Sequence, residues 1–191
     1  MDELTPLARK AADGDSAALT ALIRATQGDV WRFCAHLVDP ATADDLAQET
    51  YLRAIPALRR FRGDSSVRTW LLTIARRVCV HEIRSRQRAR HTAASLTAMT
   101  GTAADTTLRA ELTEMLTALD PDRRTAFVLT QVLGCGYAEA ATICGCPVGT
   151  IRSRVARARA DLDAMTGRQA NPIAPTAPSS SAEADGTCGN S

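Results

Sequence analysis

A chain of 191 residues has room for one large domain or two small ones, and a hydrophobic content of 45% with only 4% aromatics predicts cores of Leu, Val, Ile and Ala. A net charge of +2 does not by itself imply a nucleic-acid partner, so the placement of charge matters more than its sum. No apolar run of membrane-spanning length and no secretory leader pattern is present, and neither is a nucleophile elbow, a phosphate loop or a zinc-protease motif; a cytoplasmic, non-enzymatic chain without a cofactor is expected.

The elements read as helical throughout, because no segment sustains a two-residue alternation and no hairpin turn separates apolar runs. Residues 4–12 predict a short helix ending at Asp13 and Gly14. Asp15 can cap a longer one to Leu37, with Ala18, Leu22, Ala25, Val30, Phe33 and Leu37 recurring at helical spacing. Asp39 and Pro40 close it. Thr42, with Asp45 three residues on, predicts the cap of a helix that runs toward Leu58 and is disturbed at Pro56. After the loop FRGDSS at 61–66, Ser65 or Ser66 predicts the cap of a helix from Val67 to Arg88, whose apolar stripe is Trp70, Leu71, Ile74, Val78 and Ile83. Residues 91–107 lack an apolar face and predict a flexible linker. A second helical domain over 108–165 begins with Leu108, Leu112, Met115, Leu116 and Leu119. Asp120 then caps a helix with Pro121 in its first turn. From Thr166 onward the Pro, Ala, Ser and Gly content predicts a disordered tail.

The segment 134–162, GCGYAEAATICGCPVGTIRSRVARARADL, predicts two helices joined by a turn at Gly145. Pro147 suits the first position of the second helix. At 100° per residue, Val148, Ile151, Val155, Ala158 and Leu162 fall on one buried seam. Gly149, Thr150, Ser153, Ala156, Arg157 and Ala160 lie opposite, and Arg152, Arg154 and Arg159 flank the seam. A face of small residues bordered by arginines can approach a DNA groove closely, and this favours DNA binding over a merely solvated basic face.

Arginine is concentrated in two blocks. Residues 52–91 hold eleven arginines against Asp64 and Glu82, and residues 148–160 hold four with no acid. Two basic blocks predict one partner touched at two places. The chain has 22 arginines and one lysine, Lys10, a skew that a GC-rich coding sequence would also produce. Cys144 and Cys146 are too close for the usual zinc pair, and small buried apolar roles are expected for the cysteines.

DDLAQETYLRAIPALRRFRGDSSVRTWLLTIARRV, followed after the linker by GCPVGTIRSRVARARADL, resembles the extracytoplasmic-function group of sigma-70 factors, and is similar to its actinobacterial C-type members. The resemblance spans residues 10–165. It implies an all-α chain of two small domains: sigma region 2 over 10–90, a linker over 91–107 and sigma region 4, with a helix-turn-helix, over 108–165. The disordered tail would cover 166–191. The implied partners are bacterial core RNA polymerase and promoter DNA, and an anti-sigma factor where one exists; no membrane contact is implied.

Residue by residue, the resemblance places Asp45, Gln48, Glu49 and Arg53 against polymerase. It places Phe61, Arg62, Asp64, Ser65, Arg76, Arg77 and Arg84 on the minus-10 strand, where an unstacked base needs a plane to lie against. Thr150, Arg152, Ser153, Arg154 and Arg157 would contact the minus-35 duplex. Arg77 stands where relatives often carry asparagine, and His81 and Glu82 where they often carry Asp and His. The competing reading is a conventional helix-turn-helix regulator. A thiol- or metal-sensing form of it would require Cys135, Cys144 and Cys146 to converge.

Overall fold

The computed structural model describes residues 3–93 and 107–167, with side chains over 3–89 and 113–167. Every regular element among the described residues is helical. The stretch 94–106, most of the expected linker, and the tail from 168 onward lie outside the described residues.

Helix α1 (Thr5–Ala12) turns at Gly14, whose φ of +99° suits glycine. Asp15 then caps α2 (Ser16–Leu37) by accepting from the amides of Ala17 and Ala18 at 2.9 and 3.0 Å. The entry to α3 (Ala43–Ala57) departs from expectation, because Thr42 does not cap it. Instead the amide and hydroxyl of Thr42 both donate to Asp39, at 2.9 and 3.1 Å, which closes a 3-10 turn over Pro40–Thr42. Proline fixes the backbone at the start of that turn, so Asp39 serves as the cap of the connection instead of a stop signal alone. Pro56 falls in the last turn of α3 and a 3-10 turn, Leu58–Arg60, follows, so the proline ends the helix without breaking its middle.

Ser66 accepts from the amide of Thr69 at 3.0 Å and caps α4 (Val67–Ala93). This helix continues five residues past the predicted end at Arg88. No Gly or Pro interrupts it, and its later turns carry Arg84, Arg86, Arg88 and Arg90 with Ala89 and Ala93, which favour helix without needing a buried face. The second group begins with α5 (Thr107–Ala118) and α6 (Pro121–Phe127), the latter capped by Asp120. The chain then widens into a π turn over Val128–Val132, marked by the Leu133 amide donating to the Val128 carbonyl at 3.0 Å. Helix α7 (Tyr137–Cys144) ends at Gly145 with φ +64°. Pro147 takes the capping position, one residue before α8 (Val148–Met165), where its φ of −61° and ψ of 150° still serve as an entry.

Phe33, Leu37, Val67 and Leu72 are fully buried among α2–α4. Leu129, Ile143, Ile151 and Val155 do the same among α6–α8. These residues belong to one continuous apolar cluster, because α4 packs along α7 and brings the two helical groups together. Polar contacts cross the same boundary. Buried Arg124 on α6 donates to the Leu37 carbonyl at the end of α2 (2.8 Å) and to the Thr117 carbonyl at the end of α5 (2.5 Å). A cation is favourable at the negative ends of two helices. Burial pushes the Arg124 pKa down, and its Nε has no partner among the described residues.

Candidate nucleic-acid interface

On α8 the predicted seam is the buried one: Ile151, Val155 and Ala158 are inside, with Val148 and Leu162 half-buried. Gly149, Ser153, Ala156, Arg157 and Ala160 are exposed opposite it, and Thr150 is half-exposed. The arginines do not behave alike. Arg152 and Arg157 are exposed and carry no ion pair among the described residues. Arg154 turns inward to an ion pair with Asp122 and to the Cys146 sulfur at 3.6 Å, and Arg159 donates to Gln131 at 2.6 Å. The free charge on this helix is therefore a pair, flanking a surface of small side chains.

Helix α4 divides its arginines in the same way. Arg76 and Arg77 adjoin in sequence and stand about 100° apart around the helix. Arg76 faces α6 and sits 3.9 Å from the carboxylate of Asp122, the residue that also holds Arg154. With Arg84, it lines a crevice of about 260 Å³ against Asp120, Pro121 and Thr125. Arg77 instead points away from α6 into a separate pocket of about 330 Å³ with Arg53, Ala57, Trp70 and Ile74. Arg77 and Arg84 have no partner among the described residues. Arg86 is a structural cation: it pairs with Glu82 (2.6 Å) and Asp39 and donates to the Thr42 hydroxyl at 3.0 Å. Asp39 is below its ordinary pKa of 3.8, because although burial raises it, Arg86 and Thr42 together outweigh burial.

In the loop before α4, Phe61 is half-buried, its ring 5.2 Å from that of Trp70 at an angle of 50°. Gly63 takes φ +80°. Arg62 and Asp64 are exposed, and Ser65 is half-buried. The structure thus gives Phe61 a packing role against Trp70 while the polar loop residues project outward.

On α3, Asp45 and Gln48 are exposed, and Arg53 donates to Glu49 at 2.6 Å. Two side chains here escaped the sequence reading. Leu52 is 60% exposed and Ile55 37%, both on the stripe of Asp45 and Gln48. The signal was present, since positions 45, 48, 52 and 55 fall within about 80° of one another and two of them are apolar on a polar face. Beside this stripe runs a groove of about 460 Å³ lined by Ile23, Trp31, Ala47, Gln48 and Tyr51. The indole N–H of Trp31 donates to Asp44 at 2.9 Å, and the Tyr51 and Thr26 hydroxyls meet at 2.8 Å.

Arg68 is the second omission. It donates to Asp29 (2.5 Å), the Leu133 carbonyl (2.7 Å) and the Cys135 sulfur (3.3 Å), and lies 3.6 Å from Glu139. Thr69 adds a bond to Glu139 at 2.8 Å. Nothing local predicts this, since its partners lie up to 71 residues away. Burial raises Asp29, but Arg68 and Arg32 overcome it and hold the carboxyl below its ordinary range. Burial pushes the Cys135 and Cys144 thiols up to about 11. Cys34 and Cys79 touch at 3.6 Å in the core, where that hydrogen bond and burial raise Cys79. No group of three or more His, Cys, Asp or Glu that could hold a metal ion occurs among the described residues. The cysteines named by the sensor reading are occupied otherwise: Cys135 by Arg68, Cys146 by Arg154, and Cys144 by the core.

No helix among the described residues is long and apolar enough to cross a membrane. Residues 22–89 match Sigma-70 region 2, and residues 109–162 match Sigma-70, region 4. The chain is 50% identical over 180 residues to the ECF RNA polymerase sigma factor SigC of Mycobacterium tuberculosis, covering 87% of this chain and 96% of that one. It is 42% identical over 127 residues to the ECF RNA polymerase sigma factor EcfG of Rhodopseudomonas palustris, covering 64% and 70%. Among solved structures it is similar to the sigma factor RpoE from Bartonella quintana in complex with the anti-sigma factor NepR, at 27% identity and a TM-score of 0.68 over 78% of this chain and 96% of that one. It is similar also to CnrH in complex with the cytosolic domain of CnrY, at 28% identity and a TM-score of 0.68 over 85% and 96%. Two matched regions in the right order, each carrying free arginines on an exposed helix face, place the chain in the sigma-70 family, as an extracytoplasmic-function sigma factor that directs RNA polymerase to promoters.

Proposed function

We propose that the chain meets core polymerase through the exposed stripe of α3, built from Asp45, Gln48, Glu49, Leu52 and Ile55, with Arg53 held at its edge by Glu49. The minus-10 strand is taken by the loop residues Phe61, Arg62, Asp64 and Ser65 together with Arg76, Arg77 and Arg84 of α4. The minus-35 duplex is taken by Thr150, Arg152, Ser153 and Arg157 of α8, with Arg154 beside them tied to Asp122 and setting the helix's position. Region 2 is assigned to residues 10–90, the linker to 91–107, region 4 to 108–165 and the tail to 166–191. The chain works in the cytoplasm, without catalytic chemistry of its own, and lends promoter choice to the polymerase. An anti-sigma protein is included as a partner, because the similar sigma factor RpoE was solved in complex with the anti-sigma factor NepR.

The observation that carries this reading is the exposed, unpaired couple Arg152 and Arg157 beside Gly149, Ser153 and Ala156 on α8. Free guanidinium groups next to small residues can reach base edges and phosphates that a crowded face could not. The test mixes the purified chain with core RNA polymerase and measures promoter-specific initiation in vitro. Specific transcripts that require both components are expected. Promoter binding by the chain alone, unchanged by core enzyme, would overturn the reading.

A further inference from the structure

Two cysteines of the first helical group meet in its core. Cys34 on α2 and Cys79 on α4 are 45 residues apart in the chain, and the Cys79 thiol donates to the Cys34 sulfur at 3.6 Å. Both are fully buried in the apolar cluster that also holds Phe33, Leu37, Leu72 and Val78. A single buried cysteine is a small apolar filler. Two whose sulfurs touch are also a dithiol, and these need to approach by only about 1.5 Å to bond. Other cysteines are engaged differently, Cys135 by Arg68 and Cys146 by Arg154.

We propose that Cys34 and Cys79 are an oxidisable pair, which a hydroperoxide closes to a disulfide that pins α2 to α4. Contact with Cys34 and burial both push the Cys79 thiol up, so the closed core holds little thiolate and does not react. Reaction begins when the core opens locally and one sulfur, as thiolate, meets hydrogen peroxide. That sulfur takes one oxygen, the O–O bond breaks, and hydroxide departs as water with the thiol's proton. The second sulfur attacks the sulfenic acid so formed; its S–O bond breaks, and hydroxide departs as a second water with the second proton. Two thiols lose two electrons, and the peroxide is reduced to two waters. Once buried again, the bond is shielded from dithiols as the thiols were from peroxide, so the pair records sustained oxidation instead of following brief changes. Its position spares the free arginines of α4. Arg77 and Arg84 stand about 160° and 140° around the helix from Cys79, so the bond holds α4 from its core side.

The experiment treats the reduced full chain with hydrogen peroxide, alkylates the remaining thiols and maps the peptides under non-reducing conditions. A linked Cys34–Cys79 peptide is expected, and dithiothreitol in denaturant should release it. The melting temperature should rise by about 5 °C or more, because the bond spans 45 residues and constrains the unfolded chain. Cys34→Ala and Cys79→Ala should each lose both the link and the rise. Each variant is compared before and after peroxide, which separates this effect from any change in its own stability. Initiation with core polymerase by the oxidised chain should equal that of the reduced chain; a loss confined to the oxidised form would overturn the placement of the bond behind the arginines. Linkage of other cysteines in place of this pair, a Cys34–Cys79 peptide only after unfolding in urea, or an unchanged melting temperature would overturn the proposal.

Discussion

At the scale of single residues, the arginines of this chain are sorted by what they face. Arg68, Arg86, Arg124 and Arg154 are bound to carboxylates, carbonyls or sulfur, and hold helices together. Arg77, Arg84, Arg152 and Arg157 have no guanidinium partner among the described residues. The sequence showed the two basic blocks but not this division, since each of the first four has at least one partner tens of residues away. Arg154 illustrates the limit: the seam of α8 was legible from its 3.6-residue period, yet Asp122, its ion-pair partner, lies on another helix. Arg157→Ala is therefore expected to weaken initiation at promoters that depend on the minus-35 element by about 1–3 kcal/mol, the range of a specific base contact. Abortive-initiation rates on promoters with and without that element would measure it. Equal loss on both would count against a role in reading the minus-35 duplex.

At the scale of elements, what could be read locally was read. Asp15, Ser66, Asp120 and Gly145 all punctuate helices where short-range chemistry put them. What depended on distant partners was not. The extra turn of α4 follows from residues with helix propensity but no apolar face, and the expected cap at Thr42 lost to Asp39, which Arg86 of α4 holds in place. On α3 the ion pair Glu49–Arg53 follows from a four-residue spacing, whereas the apolar step Leu52–Ile55 interrupts a polar pattern. That step predicts a separable effect. Leu52→Asp should weaken binding to core polymerase at least about tenfold, since a charge would be set into an apolar contact. Its melting temperature should match the parent, because the side chain is 60% exposed and contributes little to folding. Fluorescence anisotropy with labelled core, beside a thermal melt, checks both; unchanged affinity would remove Leu52 from the interface.

At the scale of the whole molecule, the two helical groups share one apolar cluster and are cross-linked through Arg68, Arg124 and Asp122. Their division into two was legible from the composition of the linker; their joint core was not, because Leu129 and Ile143 satisfy the pattern of the second group alone. Arg124→Ala should destabilise the chain by about 3 kcal/mol, since two helix-end carbonyls lose a charged donor. The wild-type chain should unfold in a single calorimetric transition. Two separated transitions would show that the halves stand alone. The π turn at Val128–Val132 lies within the second group, between α6 and α7, and acts as a gear. It holds one residue more per turn than an α-helix, so deleting a single residue there would restore a regular turn and advance everything after it by about 100°. Glu139 would then swing away from Thr69 and Arg68, and α8 would present a different edge to the solvent. The edge that α8 turns outward is thus set by one surplus residue two elements upstream.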